Sequence, residues 1–172
     1  MATNRLMPRR RPWWRAALPG GLVVGLTATQ ALDWVSILLY ENEDRRTRRA
    51  EDRARHHRHA YEVAVAALSS TLRLRPSRKQ VSRWGWRFHK IFGVLGGPAY
   101  LWLRRTFPGI GRGRGLLFGT LFFLVVDELL VPVLRLSPGP RAFSWKVHAR
   151  GAVSHLAYGL AAENTARTLA RP

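Results

Sequence analysis

The stretch 115–134, GLLFGTLFFLVVDELLVPVL, constrains this chain most. It is apolar except at Thr120, Asp127, Glu128 and Pro132. At ~1.5 Å of rise per residue, a helix of this length covers roughly 30 Å, the thickness of a bilayer's hydrocarbon core. The two adjacent acids are the anomaly. A carboxylate at membrane depth is costly unless it is paired, protonated or turned towards water, so each is a candidate functional residue.

The chain has 172 residues, room for one compact unit or a few membrane helices. Its 29 Lys and Arg against 10 Asp and Glu leave a formal charge of +19. Such a balance points to nucleic acid or to an anionic membrane surface. Position decides between them. The cations gather before, between and after the apolar runs, at 9–15, 45–58, 73–87, 104–114 and 141–150, as loops flanking spans do. A nucleic-acid domain would display them on one face of a soluble fold, so no nucleic-acid partner is expected. The chain has no cysteine, which excludes disulfides and thiolate metal sites. Neither a metal nor a cofactor is expected.

Four segments follow. Residues 1–15 are basic, and Trp13 and Trp14 fit an interfacial anchor. Residues 16–40 form the first candidate span, with Asp33 inside it; a signal peptide is the rival reading. Residues 41–83 are a charged and amphipathic helical insertion. Within it, 41–59 reads as a solvent-exposed helix continuing from the first span, with Asp44–Arg48 and Glu51–Arg55 at i,i+4 spacing. His56, His57 and His59 have no acidic or thiol partner at a metal-ligand spacing and read as a solvated cationic face. Residues 60–74 are too short to span and should lie on the membrane or pack on the bundle.

Residues 84–172 read as a three-helix membrane core. Its first helix, 84–105, has Trp84/Trp86 and Tyr100/Trp102 as aromatic belts, but Arg87, His89 and Lys90 interrupt it. Pro98 should kink it unless neighbours satisfy the freed carbonyl. The loop PGIGRGRG at 108–115 reads as a flexible turn; no Lys-Ser/Thr follows and no strand precedes, so a phosphate loop is weakly supported. The last helix, 148–169, carries His155, Glu163 and Asn164.

Small residues recur four apart: Gly21/Gly25, Gly93/Gly97, Gly115/Gly119, and more loosely Gly151 and Gly159. Such pairs let helix backbones approach closely in lipid. The spacing Gly21, Gly25, Asp33 repeats as Gly115, Gly119, Asp127, and His89-x3-Gly93 repeats as His155-x3-Gly159. This predicts a duplicated two-helix unit, its copies related by an axis along the membrane normal. Asp33, His89, Asp127 and His155 would then face that axis. With Glu128 they form a candidate intramembrane polar network. Two readings stay open: a proton or cation path, or interhelical pairs that fix helix rotation. No hydrolase arrangement is visible.

The stretch 84–169 resembles the YagU-like family of small bacterial inner-membrane proteins of unknown function. The likeness rests on His89-x3-Gly93 with Gly97 and Tyr100, Gly115-x3-Gly119, Asp127-Glu128-x3-Pro132, Leu136-Ser137-Pro138 and His155-x2-Tyr158-Gly159. It implies a multi-pass protein of the bacterial plasma membrane without catalytic residues, and a link with acid tolerance. Residues 41–83 lie outside the likeness.

With four spans, putting 41–90 and 135–150 inside places 18 Lys and Arg there against 11 outside. The positive-inside rule prefers this orientation, with a cytoplasmic basic segment. The expected architecture is an all-α integral membrane bundle of about four helices with a basic cytoplasmic helical insertion. The expected role is non-enzymatic: structural, interactive or tied to envelope stress. Its partners are the bilayer, anionic lipids and a second copy of the chain. The alternative is a proton- or ion-conducting carrier.

Overall fold

The computed structural model describes residues 14–171, with side chains from residue 18 onward. The basic segment through Trp13 lies outside that description, and of the expected anchor only the Trp14 backbone is described. Among the described residues all regular structure is helical.

Helix α1, Trp14–Glu41, carries the first apolar run. The charge block does not continue it, contrary to expectation. The Asn42 side-chain amide donates back to the Leu38 carbonyl at 2.8 Å. Asp44 then accepts from the Thr47 amide at 2.9 Å and starts a separate helix, α2, Arg45–Ala54. A carboxylate at an N-cap satisfies one of the first-turn amides that a continuous helix would not leave free. Helix α3, Ala60–Thr71, begins at His59, whose amide donates to Glu62 at 2.9 Å.

Helix α4, Arg78–Thr106, starts earlier than the aromatic belt at Trp84 had indicated. Ser77 and Gln80 form a reciprocal capping box, the Ser-x-x-Gln signature of a helix start. Pro98 lies inside α4 and leaves the Val94 carbonyl without its usual amide. Gly25 of α1 turns its Cα towards that oxygen, and no Cβ would fit there. A weak Cα–H contact to a carbonyl is what remains available at such an approach.

The loop expected to be flexible is a compact turn, Pro108–Gly115, in which extended Arg112 and left-handed Gly113 and Arg114 interrupt the 3-10 geometry and Gly111 and Gly115 are buried. Gly115 closes it at φ +94°, a left-handed conformation that favours glycine. From there α5, Leu116–Phe123, passes through a π-helical stretch, Leu124–Leu130, into α6, Val131–Val133. The Val131 amide reaches back five residues to Val126. Helix α7, Trp145–Leu169, completes the chain.

Helices α1, α4, α5 and α7 form the bundle. Helix α1 packs on both α4 and α7, and α7 on α5. The α1–α4 and α5–α7 pairs both run antiparallel and cross at glycines. A Cβ on Gly97 would stand 2.6 Å from the Gly25 Cα; one on Gly159 would stand 2.8 Å from the Gly119 nitrogen. Gly21 meets Pro98 and Gly93 meets Thr29, while Gly115 sits on Gly159 and Gly151 on Phe123. All eight glycines singled out in the sequence therefore lie at helix contacts.

The two glycine crossings are alike in space, in a register different from the one the letters give. Gly97 and Gly159 occupy the same station, each seated on the two small residues of the partner helix. The sequence pattern had paired Gly93 with Gly159, one helical turn away. Between the pairs lies an aromatic core: Tyr100 on Phe118 at 4.6 Å and Phe122 on Tyr158 at 5.1 Å between ring centres. The Tyr158 hydroxyl donates to the Gly93 carbonyl at 2.6 Å and ties α7 to α4.

Two rods, 18–41 and 108–133, are long and apolar enough to cross a membrane. The four-span expectation is met by that criterion only for these two. In α4 the cations at 87 and 90, and in α7 the polar face at 154, 155 and 163, lower the apolar character.

Candidate functional site

Chain direction puts the C-terminal ends of α1 and α6 beside the N-terminal ends of α4 and α7. The five acids and histidines of the candidate polar network all lie at this end of the bundle. Asp33, His89, Asp127, Glu128 and His155 line one cleft of about 600 Å³. Helix α2 lies across its mouth and contributes Arg48, Asp52 and Arg55.

Asp33 is 5% exposed, on the α1 face turned towards α4. Its Oδ1 meets His89 Nε2 at 2.9 Å, and its Oδ2 accepts from the Lys90 ammonium. Trp86 completes this corner: its ring stacks on His89 at 5.5 Å and lies under the Lys90 Nζ at 4.9 Å. The adjacent cations that weakened α4 as a candidate span thus have a buried counter-charge. Desolvating the charges costs energy, which close pairing offsets.

Asp127 is placed differently. The register offset sets His155 four residues before Gly159, whereas His89 stands eight before Gly97. His155 Nδ1 lies 3.8 Å from Asp127 Oδ2, beyond hydrogen-bond reach, and only 2.9 Å from the Gly151 carbonyl of its own helix. The Asp127 carboxylate therefore faces the cleft without a hydrogen-bonded cation. It sits in the π-helical stretch, and such wide turns recur at functional sites. Its neighbour Glu128 reaches His148 Nδ1 at 2.6 Å, while His148 Nε2 faces the Pro140 carbonyl at 2.9 Å. With an acceptor at each ring nitrogen, both nitrogens can donate together only in the imidazolium form.

Spacing along the chain named Asp44, the Glu51–Arg55 pair and Glu163, but three sets of pairings between helices around them escaped the sequence reading. Arg150 of α7 is held by Glu43 and by Glu51 at 2.5 Å, and Glu51 pairs also with Arg55 at 2.5 Å. Glu51 is 3% exposed, so the face of α2 that carries it is not the solvated one expected. Asp44 and Lys146, 2.7 Å apart, add a second tie between the α2 start and α7. The Lys146 ammonium and Thr47 hold the Asp44 carboxyl well below the usual carboxylate range. At the opposite end of the bundle, Glu163 is 1% exposed. It accepts from the Tyr100 hydroxyl, from Arg104 Nε at 2.9 Å and from Arg167 Nε at 2.6 Å. The spacing Glu163 to Arg167 is a visible i,i+4 signal; Tyr100 and Arg104 come from another helix and are not.

The aromatic core separates Glu163 from the cleft. The titratable groups therefore form two separate sets, one open at the α2 end and one closed over by the 108–115 turn. His59 stacks on Tyr61 at 4.9 Å, and burial pushes the Tyr61 phenol up to about 12. Among the described residues no group of three or more His, Asp or Glu is arranged to hold a metal.

Compared with protein-family models, with curated proteins and with solved structures, the chain gives no match.

Proposed function

We propose that the chain is a non-enzymatic, multi-pass membrane protein whose four long helices cross the bilayer. Its intramembrane acids and histidines chiefly lock those helices in register. The observation that carries this reading is an inverted distribution of polarity. On α1 the outward side chains Leu22, Val23, Leu26, Trp34, Ile37 and Leu38 are 44–71% exposed, while Thr29 and Asp33 are buried. On α7, Ser154, His155 and Glu163 are buried and Val153 is exposed. A soluble bundle puts its apolar residues inside, and so large an exposed apolar surface needs a cover. Lipid supplies that cover, and glycine crossings supply the close packing that helices in lipid rely on.

In this reading the α2 end, with 41–90 and 135–150, is cytoplasmic, as its larger share of Lys and Arg favours. The likeness of 84–169 to the YagU-like family supports a bacterial plasma-membrane location. An alkaline carbonate wash in high salt tests it. The protein should stay with the membrane pellet, because salt and pH release charge-bound proteins but not buried helices. Release into the supernatant would overturn the reading.

A second reading has one observation in its favour. Asp127 faces the cleft without a hydrogen-bonded cation, as a proton-carrying carboxylate of a carrier would. In that case proteoliposomes carrying the native chain pass protons and Asp127→Asn abolishes the flux. Absence of flux with the native chain removes this reading.

A further inference from the structure

We propose that the groove between α3 and the start of α4 binds the phosphate-bearing headgroup of an anionic phospholipid. The inference rests on the membrane reading above and gives it a specific lipid contact.

The groove measures about 960 Å³ and is lined by Arg58, Arg73, Arg75 and Arg78, with Ser69, Ser70 and Ser82 between them. Four guanidinium groups converge from the α2–α3 link, the α3–α4 turn and the first residue of α4. Among the described residues none of the four has an ion-pair partner. Arg55, elsewhere in the insertion, is by contrast engaged by Glu51.

The one acid in the groove, Glu62, is already committed. Its carboxylate accepts from the His59 amide at 2.9 Å. Burial would raise its carboxyl pKa, but the His59 amide, the Ser82 hydroxyl and the nearby charges of His59 and Arg58 outweigh it and leave the group below its usual range. It caps α3 and does not reach the arginines within ion-pair distance. Four arginines against one acid leave the groove a net positive charge next to the Ser69 and Ser70 hydroxyls. Arginine's planar donor array matches phosphate oxygens in pairs, and serine hydroxyls add further donors.

The flanks identify the source of the phosphate. Leu74 lines the groove and is 51% exposed. A soluble phosphate needs no such flank. A phospholipid does: its headgroup meets the arginines while its chains cover Leu74. Arg73 adopts a left-handed backbone at φ +57°, which ends α3 and sets Arg73 and Leu74 side by side at the rim. Basic segments next to membrane helices gain roughly 1 kcal/mol per Arg at an anionic surface, and a groove that gathers four should select charged headgroups.

The test uses the full chain in a neutral detergent. Short-chain phosphatidylglycerol, short-chain phosphatidylcholine, glycerol phosphate and inorganic phosphate are titrated while thermal unfolding is followed. Phosphatidylglycerol should bind at least about 10-fold more tightly than phosphatidylcholine, equivalent to ~1.4 kcal/mol. Arg73→Gln/Arg75→Gln/Arg78→Gln should remove that preference. Arg58→Gln/Arg75→Gln, which leaves the α3 end and the α4 start intact, should reduce it in the same direction. The charge-matched control Arg45→Gln/Arg46→Gln/Arg49→Gln on the exposed face of α2 should keep it.

Equal loss in groove and control variants would mean diffuse charge attraction and overturn the groove. Binding of inorganic phosphate as tight as that of phosphatidylglycerol would overturn the lipid as source. No preference in the native chain overturns the site outright. The carbonate wash reports separately on the membrane reading, so a retained protein without headgroup preference sinks only this inference.

Discussion

A Cβ on Gly97 would stand 2.6 Å from the Gly25 Cα, and the α1–α4 crossing exists because neither residue has a side chain. Gly159 holds the equivalent place against Gly119, with 2.8 Å to its nitrogen. Gly97→Ala and Gly159→Ala force backbone apart, since the obstructing atoms are main chain and cannot rotate away. Each substitution should cost about 1–3 kcal/mol, and more where the helices cannot slide. Thermal unfolding in detergent measures it. Gly139→Ala, with no atom within 4 Å of the new Cβ, serves as the neutral control.

Asp33 and Asp127 share a sequence spacing and differ in their partners. Asp33→Ala leaves Lys90 and His89 beside an empty site in a buried corner. Breaking a buried pair in this way should cost about 3–5 kcal/mol. Asp127→Ala removes a carboxylate without a hydrogen-bonded cation and should leave stability within about 0.5 kcal/mol, the range of positions away from such networks. Equal losses in both variants would show that Asp127 is a structural partner too.

Tyr100→Phe keeps the ring on Phe118 and removes only the hydroxyl donated to Glu163. The carboxylate retains Arg104 and Arg167, so the change isolates one buried hydrogen bond. The expected loss is about 1–3 kcal/mol, with little change in the α2 end of the bundle. Hydrogen exchange resolved along the chain separates the two ends.

Asp44 links α2 to Lys146, and its carboxyl sits lower in the fold than in the unfolded chain. Such a group adds stability above the ordinary carboxylate range, and that contribution is lost as pH falls towards the folded value. Protection of the α2 amides should therefore drop as pH falls below about 4. Asp44→Asn should make α2 exchange faster at neutral pH and remove this part of the acid response. An unchanged acid response in Asp44→Asn would overturn this assignment.

The helical class, the apolar rods and the close glycine contacts were legible because they depend on local pattern. Four-residue spacing of small side chains and long apolar runs are readable without knowing what they touch. The same holds for the Ser77–Gln80 box, a signature present in the sequence and overlooked in favour of the Trp84 belt. The register of the repeat was not legible. Matching His89-x3-Gly93 to His155-x3-Gly159 used identical letters, while Gly97 and Gly159 are equivalent by the atoms they face.

Composition and periodicity by themselves determined that this chain forms helices, that two rods suit a bilayer, and that acids and histidines occur at their polar positions. Only the tertiary structure decided which of those groups are paired. Glu51 looked solvated because it lies in a charge block, yet Arg150, 99 residues away, draws it inside. Asp127 looked equivalent to Asp33, yet a one-turn offset between helices leaves it facing an open cleft. Pairing of charges is settled by distances of a few ångströms between segments far apart in the chain, and spacing along one segment carries no record of them.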